Sequence, residues 1–120
     1  MPDWKREEAV LMAQSQGAAL YEKFPLHPGV GYMSQDNLEE LYLNNTWRPN
    51  LSITGATGLP DISSAGNVVR PQTTVRLSMR LSPLKDCQEA VAQMTEKLTT
   101  NVPYNAKATI INSLGGNGWC

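Results

Sequence analysis

Residues 44–83, NNTWRPNLSITGATGLPDISSAGNVVRPQTTVRLSMRLSP, constrain the fold more than any other stretch of this chain. Val75, Leu77, Met79 and Leu81 alternate with Arg76, Ser78, Arg80 and Ser82. A period of two places the first set on one face of a strand and the second on the other, so one face is buried and one open to solvent or ligand. Upstream, Leu51 and Ile53 alternate with Ser52 and Thr54 as far as Gly55, which predicts a second strand. The segment from Gly58 to Gly66 carries Pro60 and two glycines and reads as a loop between them.

Helical patterns flank the two strands. Asp3 can cap a first helix running to about Phe24, with Val10, Ala13, Gly17, Leu20, Tyr21 and Phe24 along one face. Gly17 weakens that helix by roughly 1 kcal/mol unless another backbone packs there. Pro25, Pro28, Gly29 and Gly31 then open a loop. Asp36 and Glu39 predict a capping box for a short helix to Leu43, stopped by Asn44, Asn45 and Pro49. Asp86 and Glu89 form a second box, and the helix it opens aligns Cys87, Ala90, Val91, Met94 and Leu98 on one stripe. A last strand is predicted over Ala106–Ile111, before the tail LGGNGWC.

This order predicts an α+β fold, an antiparallel sheet with helices on one face. It is close to a ferredoxin-like βαββαβ unit lacking its first strand. The first strand of that topology is usually central, so its absence would leave unpaired backbone groups in the middle of the sheet: either something else pairs there, or this chain is a piece of a longer one. At 120 residues the chain suits one domain. Within it we expect a helix and loop over 1–33, a core over 34–114 and a tail over 115–120.

Composition removes several functions. Ten basic and eleven acidic residues leave a net charge of -1, with no basic run for nucleic acid or a membrane surface. No apolar run approaches the roughly 18 residues that span a bilayer. The charged start MPDWKREEAV does not read as a signal peptide. Two cysteines, Cys87 and Cys120, argue for a reduced, cytoplasmic setting rather than a disulfide framework. One histidine, with no CxxC or HExxH spacing, provides no zinc site in this chain.

Few residues carry candidate chemistry. Glu39 and Glu40 look like a carboxylate pair, but neighbours on a helix diverge by about 100°, and a solvated face is the better reading. His27, between Leu26 and Pro28, reads as an exposed loop histidine. GATGLP at Gly55–Pro60 lacks the GK[ST] ending of a phosphate loop and reads as a turn. Asn67 and Arg80 are the two polar residues worth following. The planar fork of Arg80 can hold both oxygens of a carboxylate, and Asn67 can donate to an oxygen that turns negative during acyl transfer. As ordinary surface groups they would be a polar loop residue and an exposed strand arginine.

From about Leu41 to Thr109 the chain resembles the lid, or dimerisation, domain of the M20 family of zinc metallopeptidases and amidohydrolases. The resemblance is carried by WRPNLSITGATG, AGNVVRP, VRLSMRLSP and the helix that follows. Family members have a small-residue-Asn-Val-Ile/Val-Pro-like segment before a strand ending in Arg, matched here by Asn67 and Arg80. The resemblance implies a substrate-binding and dimerising domain of a hydrolase that cleaves a peptide or amide bond near a free carboxylate. It implies that Arg80 binds the substrate carboxylate and that Asn67 contacts the substrate or tetrahedral intermediate, often across a homodimer. The two zinc ions and the catalytic residues belong to a parent catalytic domain, so this chain holds no catalytic residue, binds no cofactor and is inactive alone. The substrate is a peptide or N-acyl amino acid, and GGNGWC looks like the start of re-entry into the catalytic domain.

Two departures accompany the resemblance. The lid histidine usual in the family has no counterpart here, because His27 stands in a different context. Arg70 occupies a place near which relatives carry Pro. The alternative function is a stand-alone ferredoxin-like binding or dimerisation module.

Overall fold

The computed structural model describes residues 1–34 and 36–119. They form α+β structure in two compact units, Met1–Arg48 and Pro49–Cys120.

The first unit is helical: α1 (Asp3–Gln16), α2 (Ala19–Glu22) and α3 (Leu38–Thr46). The helix expected to reach Phe24 breaks at Gly17, which takes φ +51 and donates its N–H to the Ala13 carbonyl at 3.0 Å. A left-handed residue satisfies a terminal carbonyl and ends the helix, and glycine does this without a Cβ penalty. The cap of α3 also differs from expectation. Asn37, not Asp36, accepts from the Glu40 N–H at 3.0 Å, and the helix runs through Thr46 past Asn44 and Asn45. Both residues are good caps, and Asn37 lies three before Glu40, the spacing the bond requires.

Ala9, Leu43 and Trp47 make the buried core of this unit, and Trp47 meets Trp4 edge-on at 5.5 Å. Lys5 is buried beside them. Its ammonium lies 4.9 Å from the centre of the Tyr42 ring and 5.5 Å from that of Trp47, and it pairs with Glu8 at 3.0 Å. Tyr42 donates its hydroxyl to Glu8 at 2.6 Å. A buried ammonium needs such a shell, because its charge has lost water.

The second unit holds a two-stranded antiparallel sheet, β1 (Asn50–Thr57) and β2 (Thr74–Arg80), followed by α4 (Cys87–Thr99). β1 does not stop at Gly55. The ladder shifts register between Ile53 and Gly55 and continues to Thr57 opposite Thr74. The bulge has a use: it returns Ala56 to the face of Leu51 and Ile53, so that Leu51 opposes Met79, Ile53 opposes Leu77 and Ala56 opposes Val75. Gly58 turns the chain out of β1 with φ +83. Asp86 caps α4 by accepting from the Glu89 N–H at 2.9 Å, one half of the expected box, while the Glu89 carboxylate pairs with Lys85 and accepts from Gln93. The predicted strand Ala106–Ile111 joins no ladder among the described residues. Its alternation specifies two faces, but a strand also needs a neighbouring backbone, and periodicity cannot supply one.

Two outcomes follow. Tyr42 first, then Lys5, hold the Glu8 carboxyl below its ordinary 4.5, and Glu8 holds the Tyr42 hydroxyl above its ordinary 10.0. A lowered acid contributes stability that is complete above its unfolded value and lost as pH falls through the folded one. A raised phenol contributes stability that is complete below its unfolded value and lost as pH rises through the folded one. Thermal melts should therefore show a plateau between about pH 4.5 and 10 for this pair, and Glu8→Gln should flatten the acid limb. In the second unit, an added Cβ on Gly58 would stand 2.5 Å from the Gln72 carbonyl oxygen. Gly58→Ala should cost about 1–3 kcal/mol in urea unfolding. An unchanged midpoint would contradict the turn described.

Candidate functional site

The second unit contains a cavity of about 390 Å³. One wall is Leu77–Leu81, the end of β2 and the residue after it, and another is Leu114–Gly118. Cys87, Ala90, Val91 and Met94, the inner stripe of α4, form the third side. The stripe recognised in the sequence thus faces a cleft rather than a closed core.

The glycine-rich tail is fastened to the start of α4. Asn117 accepts from the Cys87 backbone N–H at 2.7 Å, which satisfies one of the orphan donors of the first helical turn. A Cβ on Gly115 would lie 3.2 Å from the Cys87 Cβ, and one on Gly118 would lie 2.9 Å from the Pro83 Cα. At Gly118 only glycine lets the tail lie this close to the Pro83 backbone, and at Gly115 a side chain would press on Cys87. The Glu89 N–H, chiefly, holds the Asp86 carboxyl below its ordinary 3.8, with the Asn117 side chain among the lesser contributors. Cys87 is buried and unpaired by disulfide, while Cys120 lies outside the described residues.

Arg80 ends β2 opposite Asn50 and lines the cavity as its one charged residue. It has no acidic partner among the described residues. Asn67 is exposed in the loop that leaves the ladder at Thr57 and returns at Thr74, the end opposite Arg80. Asn67 does not line the cavity, so the structure does not gather the two candidates around one cleft. What the sequence did not mark was the tail: Asn117 and Gly115 complete the site with Cys87, and their only signal was a GGNG run that also reads as a linker.

The other candidates separate from it. Glu40 pairs with Arg48 at 2.7 Å, while Glu39 is exposed. His27 is exposed and offers its carbonyl to the Val30 N–H at 3.0 Å in a turn. Within GATGLP, Gly55 to Thr57 are strand and Gly58 is the turn. No group of three or more His, Cys, Asp or Glu side chains among the described residues could hold a metal ion. No described helix is long and apolar enough to cross a membrane.

The tail contact can be read through the thiol. In a Cys120→Ser background, Asn117→Ala removes one hydrogen bond worth roughly 0.5–1.5 kcal/mol, so Cys87 alkylation by iodoacetamide should speed up by as much as about tenfold. An unchanged rate would mean that the tail does not guard the cleft.

No protein-family model and no curated protein matches this chain.

Proposed function

We propose that the Pro49–Cys120 unit is a carboxylate-binding, dimerising lid that serves a two-zinc hydrolase of the M20 class. The parent enzyme cleaves a peptide or amide bond near a free carboxylate, and the zinc ions and catalytic residues belong to its catalytic domain. The observation that supports this most is Arg80, the one charge on a cleft of mixed polar and apolar surface, with no acidic partner among the described residues. A guanidinium at such a wall offers a carboxylate two parallel charge-assisted hydrogen bonds, while the apolar surface accepts the rest of a peptide or N-acyl amino acid.

Asn67 donates to the oxygen that becomes negative in the tetrahedral intermediate. Its loop leaves the sheet at the end opposite Arg80, which favours a homodimer in which each Asn67 serves the substrate bound by the other copy. β1 suits self-pairing: NLSITGAT carries no charge, so two copies can align edge to edge without like charges meeting.

Four measurements check this. With zinc, cobalt or manganese added, the chain alone should hydrolyse no member of a dipeptide panel, and metal-dependent turnover would overturn the reading. In the complete enzyme, Arg80→Ala should lower kcat/KM by about ten- to a hundredfold or somewhat more, the equivalent of roughly 1.5–3 kcal/mol for a charged hydrogen-bonded contact. Asn67→Ala should lower kcat more than it raises KM. Sedimentation at several concentrations should show a dimer.

A further inference from the structure

We propose that the cleft between β2 and the Leu114–Gly118 segment is an acceptor slot for one extended strand, bearing an acidic residue, from a different polypeptide. The shape of the cleft carries this. Successive side chains of a strand point to opposite faces, yet five consecutive residues, Leu77 to Leu81, all line the cavity. A cavity touched by both sets lies along the strand's edge, not over either face. β1 already occupies one edge of β2, so the cavity runs along the other, where backbone N–H and C=O groups have no ladder partner among the described residues.

Another wall is likewise a run of consecutive residues, Leu114 to Gly118, and α4 lines the cavity with an apolar stripe. A strand residue takes about 3.3 Å of length, about 4.8 Å between neighbours and about 10 Å through a sheet. The cavity of about 390 Å³ therefore holds roughly two or three residues of extended chain. An added strand therefore finds free pairing groups along β2. Strand addition of this kind draws affinity from backbone hydrogen bonds and specificity from alternate side chains.

Charge selects the occupant. The slot's one charged residue is Arg80, and Arg76 lies on the same strand. β2 of a second copy brings two arginines and no carboxylate for Arg80, and Ala106–Ile111 of a second copy brings Lys107 and no carboxylate. Like charges directly opposite are unfavourable. β1 of a second copy is neutral, but its pairing with β2 is head-to-tail and does not close on itself. A foreign strand with alternating apolar residues and a carboxylate near Arg80 meets every wall. The free edge of β2 is there whether or not the chain serves a hydrolase.

The test uses the unaltered 120-residue chain and a nine-residue peptide of alternating valine and threonine with a glutamate at each end. Amide hydrogen exchange should show protection of Leu77–Leu81 rising by about tenfold or more with peptide at millimolar concentration. A peptide with proline in place of threonine lacks the alternate N–H groups and should give none, and a lysine-ended peptide should give less. No protection at Leu77–Leu81, protection confined to β1, or equal protection by the proline or lysine-ended peptide would overturn the proposal. Ala90→Trp, which fills the slot beneath α4, should abolish the effect in a chain whose circular dichroism is unchanged.

Discussion

A two-stranded ribbon satisfies one edge of each strand and leaves the other bare. The second unit depends on this constraint throughout. A lone hairpin is marginal in water because it buries too little and pairs too little. Here the apolar face of the ribbon stays substantially open: Ile53 is 67% and Leu51 56% exposed. α4 and the tail therefore do much of the enclosing, and they enclose a cleft instead of a packed core. The bond from the Cys87 N–H to Asn117 matters for this reason. It ties the Leu114–Gly118 wall of the cleft to the helix whose stripe lines it.

The first unit meets a different constraint with the same economy. Its helices are too short to be stable alone, and its buried core is small. It compensates with a polar contact inside that core, where Lys5, Glu8 and Tyr42 satisfy one another against two rings. Burying the ammonium is costly, so the arrangement holds only while Glu8 is ionised and Tyr42 is neutral.

What the sequence made legible was local. The strand predicted around Val75–Met79 and the Asp86 cap of α4 appear where expected, because strand period and cap spacing are set within a few residues, but the face expected to be buried stays mostly exposed, since burial needs a covering partner. Gly17 was visible as a weak point, but whether its φ turns positive depends on what packs beyond it. The bulge at Thr54 could not be read, since it exists only as a mismatch between two strands 20 or so residues apart. Ala106–Ile111 shows the same limit: its faces are legible and its partner is not. For the site, Arg80 was found by its place on the polar face of a strand. Asn117 was hidden in a tail whose composition suggests a linker, and a side chain's bond to a helix 30 residues earlier leaves no trace in spacing.

Arg80 joins the two proposals without merging them. As a carboxylate anchor it acts through its guanidinium, which reaches from the end of the strand and needs only a small anion beside an apolar wall. As part of a strand acceptor it is one charge among a row of backbone donors and acceptors, and most of the binding comes from that row. The two demands are compatible in geometry because Arg80 is the last residue of β2. A strand lying along Leu77–Leu81 passes its backbone, while its side chain extends past the ladder's end. A polypeptide strand that ends in a free carboxylate beside Arg80 would meet both at once. A small N-acyl amino acid would meet only the first and would leave the edge of β2 bare. Protection of backbone amides, as opposed to a change at the guanidinium, is therefore the physical difference between a substrate held at the mouth of the cleft and a strand laid along it.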